Sequence, residues 1–236
     1  MISLSVLLAV AVDWLLGEPK RGHPLVGFGA LAVLVERRLN LNHPDGLGSL
    51  TIVARHRKLC GVIGLLVLCL PPSLLWWFLV SREAAGTLGI LSLSSLLEAA
   101  LLYLAIGHRS LWDHSRPISE ALEQQDEEGA RYHTAMMVSR DPDALNIEVS
   151  AIESVLENGN DALFGALFWF VIAGGAGALL YRLVNTLDAM WGYRTARYRD
   201  FGWAAAKLDD LLNYVPARCT AISYALLSDT KEAFKC

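Results

Sequence analysis

The chain reads as an all-α, multipass helical membrane protein with a cytoplasmic helical polar region. Three observations predict this class. Its 236 residues are 54% hydrophobic, with a mean hydropathy of +0.38, above the roughly 45–50% apolar share of soluble domains. Uncharged apolar runs of spanning length recur at 59–80 and 162–181, where a bilayer demands about 20 residues. No alternating strand pattern competes with the helical periodicity. One domain over 1–236 suffices for this length.

The first predicted span, near 1–17, is apolar apart from Asp13, Ser3 and Ser5, and Gly17-Glu18-Pro19 closes it. It lacks a basic leader and an Ala-x-Ala cleavage site, so it reads as a retained span. Seven Lys/Arg then fall between Glu18 and Lys58, which places this loop in the cytoplasm. Within it, 25–39 reads as an amphipathic surface helix. The second span, 59–80, should kink at Pro71-Pro72, and Trp76-Trp77 suits an interfacial belt. The third, 86–107, contains one acid, Glu98, and a Ser92-Leu-Ser-Ser95 cluster expected to bond backbone carbonyls.

Residues 108–161 form a polar helical insert with twelve acids against four Lys/Arg. Ile118, Leu122, Tyr132, Met136 and Met137 are expected to supply its packing face. The fourth span, 162–181, contains Gly174-Gly-Ala-Gly177, a weak point for a helix. A full crossing there would put the five Lys/Arg of 182–209 outside, against the charge rule. A broken or re-entrant helix keeps them inside, and that placement is preferred. The last span is 211–228, interrupted by Pro216 and Arg218. The net charge of −4 gives no sign of nucleic-acid binding. The four cysteines lack metal or disulfide spacing.

Polar groups beside membrane sequence suggest function. Glu153, Glu157 and Asp161 recur every four residues with Asn158 between. On a helix they share a face, read either as a solvated acidic stripe or as a Mg²⁺ site. Asn185/Asp188 and Asp209/Asn213 pair a carboxylate with an amide, for interhelical hydrogen bonding or for chemistry. Arg194, Arg197, Arg199 and Arg218 suit anion binding or a cytoplasmic anchor. His23-Pro24, Arg109, His114 and Arg116 are further candidates. No standard nucleotide fingerprint is present.

Asp13-Trp-Leu-Leu-Gly-Glu-Pro19 with His23-Pro24, Ser139-Arg-Asp141, the run from Glu153 to Asp161, Asn185-Thr-Leu-Asp188, Gly192-Tyr-Arg194, Tyr198-Arg-Asp-Phe-Gly-Trp203 and the run from Leu208 to Arg218 together resemble the CobD/CbiB family of cobalamin biosynthesis. The resemblance implies a multipass enzyme of the bacterial inner membrane, its active face cytoplasmic. It would form an amide between the propionate carboxyl of adenosylcobyric acid and (R)-1-amino-2-propanol or its O-phosphate. ATP and Mg²⁺ are the implied cofactors. Corrinoid and aminopropanol substrates, the lipid bilayer and other cobalamin-pathway membrane proteins are the implied partners. On this resemblance Glu153, Glu157, Asp188 and Asp209 are catalytic candidates. Glu157, Asp161 and Asp188 are metal candidates. Arg140, Asn158, Asn185, Tyr193, Arg194, Asn213 and Arg218 are candidates for substrate or phosphate. Family members usually continue through further segments, so the chain is expected to be C-terminally shortened. Two other readings are a non-enzymatic AmpE-like membrane regulator and a transporter; the absence of an inverted repeat counts against the latter.

Overall fold

Apolar helices bury their side chains against one another, and most of the described residues are helical. A computed structural model describes residues 2–19, 22–40, 56–84, 92–137 and 146–227. In order these form α1 (Ile2–Leu16), α2 (Pro24–Leu39), α3 (Arg57–Ala84), α4 (Leu93–Ala105), α5 (His108–Glu123), α6 (Glu127–Met137), α7 (Ile147–Gly159), a π-helical turn (Asn160–Phe164), α8 (Gly165–Trp191) and α9 (Trp203–Leu227). No strand occurs among the described residues.

The centre of the molecule is α8. Ala173 (φ −133°, ψ 18°) and Gly174 (φ 63°, ψ −159°) break it. Gly174 occupies a region of backbone space open essentially only to glycine. The chain folds back there: a Cβ on Gly165 would overlap the ring of Tyr181, and one on Gly177 would overlap the carbonyl of Trp169. In a straight helix, residues 165 and 181 would stand about 24 Å apart. The two arms therefore form a helical hairpin, as the glycine cluster predicted. The break exposes the amide end of the second arm, and the carboxylate of Glu98 on α4 accepts the Gly175 N–H. This acid inside an apolar helix caps a neighbouring one.

The hairpin carries a core of Phe170, Tyr181, Val184, Leu187 and Trp191, joined by Leu65, Leu68 and Cys69 of α3, Leu102 of α4, and Phe201. Trp191 and Phe201 meet edge-to-face at 4.8 Å between ring centres. Close approach at Gly202, whose Cβ would overlap the carbonyl of Trp191, seats the turn 192–202 beneath the hairpin's second arm. That turn is tied to α2 by a forked ion pair. Arg197 donates from Nε and Nη2 to the two carboxylate oxygens of buried Glu36, at 2.7 and 2.8 Å. Asn40 donates to both Glu36 Oε1 and the Arg197 carbonyl. The amphipathic helix 25–39 is present as α2, capped by His23 Nδ1, which accepts the Leu25 N–H, with Pro24 in the first turn.

Two stretches are long and apolar enough to cross a membrane, Arg57–Ser81 and Val149–Trp191, and the second folds back on itself. Leu66, Val67, Leu70, Leu74, Leu75, Trp77 and Phe78 of α3, with Val171 and Ile172 near the hairpin tip, are exposed. Such a belt is what lipid, not water, would cover.

Pro71 and Pro72 lie inside α3, which runs on to Ala84. Several expectations are corrected. Ser92 caps α4 by accepting the Ser95 N–H, and its hydroxyl bonds those of Ser94 and Ser95, so the serines act on one another and on a helix end. Of the third predicted span, 86–107, positions 86–91 lie outside the described residues, and Leu93–Ala105 is helical. The last helix starts eight residues before the predicted span, at Trp203, and Pro216 sits inside it without ending it. In the polar insert Ile118 is buried, but Tyr132 and Met136 are 62% and 66% exposed. The small residues Ala121 and Ala130, with Ile147, make that contact instead.

Gly174→Ala is expected to destabilise the protein by about 1–3 kcal/mol, seen as a lower thermal midpoint in detergent. Gly27→Ala, which meets nothing within 4 Å, should be neutral or slightly stabilising.

Candidate functional site: an acid-lined cavity at the open end of the hairpin

Folding α8 back brings its two ends to one place. The π turn adds a residue to the helix at Asn160–Phe164, and such turns free a carbonyl and re-aim side chains. The carbonyl of Ala162 accepts the Gly107 N–H at 2.9 Å, joining the hairpin to the start of α5. Asp13 of α1 acts on the same helix end, where its Oδ2 accepts the Arg109 N–H at 2.8 Å. Gly107 offers no cap of its own, so a buried acid from another helix does the capping.

Around the π turn lies a connected polar network. Asn160 Nδ2 donates to Asp161 Oδ1 (3.0 Å) and to Asn213 Oδ1 (2.8 Å). Tyr181 Oη donates to Asn213 Oδ1 at 2.8 Å. Asn213 Nδ2 donates to Asp209 Oδ2 at 3.0 Å. Asn185 Nδ2 lies 3.1 Å from Asp161 Oδ2 and 3.4 Å from Asp209 Oδ1. Thr220 Oγ1 donates to Asn160 Oδ1 at 3.1 Å. Both carboxylates are thereby held by amides, and like charges are separated by neutral donors. Asp209 still feels burial first, then the charges of Asp161 and Asp188, and its carboxyl is pushed up to about 6.

A cavity of about 450 Å³ opens on this network. Glu157, Asn158, Asp161, Asn185 and Asp188 line it, with Glu18, His114 and Arg182 from other directions. It adjoins a second cavity of about 750 Å³ lined by Gly17, Glu18, Pro19, His23, Arg109, Asp113, His114 and Arg182. The structure thus gathers Glu157, Asn158, Asp161, Asn185, Asp188, Asp209 and Asn213. Glu153 is exposed on α7, one turn before Glu157. Tyr193 and Arg194 are exposed beyond the end of α8 and line neither cavity. Arg218 is exposed on α9, donating to the Tyr214 carbonyl and lying 3.6 Å over the Tyr214 ring. It occupies a different face from Asn213 and Thr220, which point into the network. Arg140 lies outside the described residues.

Among the described residues no three His, Cys, Asp or Glu side chains converge as a ready-made metal site. Glu157, Asp161 and Asp188 nevertheless present hard oxygen donors to one cavity. That suits Mg²⁺, which takes one or two carboxylates and completes its shell with water and substrate oxygens. Residues that sequence reasoning missed include Asn160, Tyr181, Thr220, Glu18 and Arg182. Asn160 stands directly before Asp161, a signal that was available. Arg182 looked like an ordinary charged flank of an apolar run.

The fold and cavity define a protein all-helical among the described residues, with membrane-type helices and a half-buried acid-and-amide site at the open end of a hairpin. Sequence comparison carries this further: the family described as CobD/Cbib protein matches residues 6–236, and the chain belongs to the CobD/CbiB family. It is similar to the cobalamin biosynthesis protein CobD of Stutzerimonas stutzeri, at 49% identity over all of this chain and 73% of the relative. The proteins of the same name from Chromobacterium violaceum and Halalkalibacterium halodurans are 45% and 37% identical, over 99% and 95% of this chain and 72% and 67% of theirs. No solved structure matches the chain.

Two outcomes test the network. An acid whose carboxyl is raised in the fold destabilises it as pH climbs from its ordinary value, 3.8, through about 6. Asp209→Asn should therefore remove the loss of stability that the parent shows as pH climbs from about 4 to about 6, measured by thermal melting across pH. Asn160→Ala should cost about 2–4 kcal/mol at neutral pH, because it strips partners from Asp161, Asn213 and Thr220 together.

Proposed function

We propose that the chain acts in cobalamin biosynthesis, as a multipass inner-membrane enzyme that amidates the propionate carboxyl of adenosylcobyric acid with (R)-1-amino-2-propanol or its O-phosphate. Membership of the CobD/CbiB family and relatives named for cobalamin biosynthesis support the pathway. The observation that carries the chemistry is the convergence of Asp161, Asn185 and Asp188 on one cavity. Exposed apolar side chains on α3 and at the hairpin tip support burial in a bilayer. The hairpin favours a cytoplasmic placement of both its ends, consistent with the positive charge of 182–209.

Amide formation needs an activated carboxyl, a deprotonated amine and a place to hold both. ATP with Mg²⁺ would supply the leaving group that makes the carboxyl an acylating agent. Glu157 and Asp161 are the side chains that would hold the metal, leaving Asp188 free to act as the base. Asp161 and Asp209 are fixed by amide donors, whereas Asp188 lines the cavity and accepts no hydrogen bond on its carboxylate among the described residues. Asp188 would take the proton from the substrate ammonium. The freed nitrogen lone pair then attacks the acyl carbon as the activating group departs. Asn185, held between Asp161 and Asp209, keeps the acids at a fixed spacing while the charge on Asp188 changes.

Asp188→Asn should lower amide formation by at least about 100-fold with unchanged yield of membrane-inserted protein, assayed by corrinoid chromatography; activity within a few-fold of the parent would remove Asp188 from this role. In cells lacking the gene, a corrinoid block should be relieved by cobinamide and not by cobyric acid. Relief by both, or by neither, favours the regulator or transporter readings.

A further inference from the structure

We infer that Arg182 is the anion-binding residue of the site, and that its ligand carries a phosphate or carboxylate together with a positive centre. This deepens the proposed function and rests on the same cavity. Arg182 stands on the wall common to the two cavities, with Glu18 and His114. Its Nε is buried and has no hydrogen-bond partner among the described residues. A guanidinium whose Nε is buried and unspent is a costly group to keep unless a ligand uses it.

Neighbouring cations are already engaged. Arg109 donates from Nε to Asp113 (2.9 Å) and from Nη1 to the Trp14 carbonyl (3.0 Å), and lies 5.4 Å over the Trp14 ring. His23 uses Nδ1 to cap α2, and His114 uses Nδ1 against the Ser110 carbonyl. Arg194 and Arg218 point elsewhere.

The charge around Arg182 limits what it can hold. Glu18, Glu157, Asp161 and Asp188 share its cavity, so a bare anion entering alone meets more negative charge than positive. A ligand that brings its own cation fits. The ammonium of an amino-alcohol phosphate would lie against the acids with its phosphate on Arg182. Mg²⁺ carrying nucleotide phosphates would present the same pair of charges. Both share one chemistry, a phosphoryl group on a guanidinium fork beside a cation on carboxylates.

The test is calorimetric titration of the whole chain in detergent micelles, as the parent, Arg182→Gln and Arg182→Lys. The probes are 1-amino-2-propanol O-phosphate, unphosphorylated 1-amino-2-propanol, and a non-hydrolysable ATP analogue with Mg²⁺. Arg182→Gln should weaken the phosphorylated amine at least tenfold (about 1.4 kcal/mol or more) and leave the unphosphorylated amine unchanged. Arg182→Lys should fall between the two, because it keeps the charge and loses the fork. If the nucleotide analogue weakens instead, the inference holds and the phosphate is the nucleotide's. A parent that binds neither phosphate probe, or an Arg182→Gln protein that binds both as tightly as the parent, overturns it. Phosphate binding that depends on Arg182 in a protein that forms no amide leaves this inference standing and removes the proposed function. The thermal midpoint of Arg182→Gln, and partial recovery in Arg182→Lys, separate lost binding from lost folding.

Discussion

The structure depends on one backbone event, the reversal at Ala173–Gly174 inside an apolar helix. Breaking a helix among apolar side chains exposes N–H and C=O groups that lipid will not satisfy. The chain meets this with two devices. Glycine supplies the positive φ at 174, and the carboxylate of Glu98 takes the first freed amide of the second arm. A carboxylate at a helix start also complements the helix dipole. Small residues at 165 and 177 then let the arms approach closely enough for Tyr181 to pack across the hairpin.

Once the arms lie side by side, residues far apart in sequence become neighbours at the open end. Asp161 from the first arm meets Asn185 from the second, and α9 adds Asp209 and Asn213. The network holds two acids, Asp161 and Asp209, with amides interleaved, and Asp188 stands near them. Asp209 is raised to about 6 by burial and by its two acidic neighbours. The surrounding supports are structural. The Glu36–Arg197 fork fixes the turn after α8, and Asp13 fixes the start of α5.

Much of this was legible in the sequence. Helical class, the apolar runs, the surface helix 25–39 and the glycine break follow from periodicity, charge and the exclusion of irregular backbone from lipid. The acids and amides of 157–161, 185–188 and 209–213 were visible as polar groups out of place beside apolar runs. Other parts were not legible, for identifiable reasons. Whether Arg194, Arg218 or Arg182 faces the site depends on helix rotation, which spacing alone does not set. Arg218, read as a phosphate candidate, stacks on Tyr214, and Arg182, read as a charged flank, lines the cavities. Glu98 and Asp13 looked like isolated buried acids, since their partners are backbone amides of other helices and leave no mark in composition. Tyr132 and Met136 failed as core residues because Ala121 and Ala130 let α5 and α6 pack closely through small side chains.

The central claim is that the stretch from α7 to the end of α8 enters and leaves on the same side. Placed in a background with the native cysteines replaced by serine, Glu153→Cys and Tyr193→Cys can each be labelled with a membrane-impermeant thiol reagent in sealed inner-membrane vesicles of known orientation. Straight, this stretch of 43 residues would reach about 65 Å and carry its ends to opposite faces. The hairpin predicts that both positions label from the cytoplasmic face and neither from the other. Labelling of Glu153→Cys and Tyr193→Cys from opposite faces would contradict it.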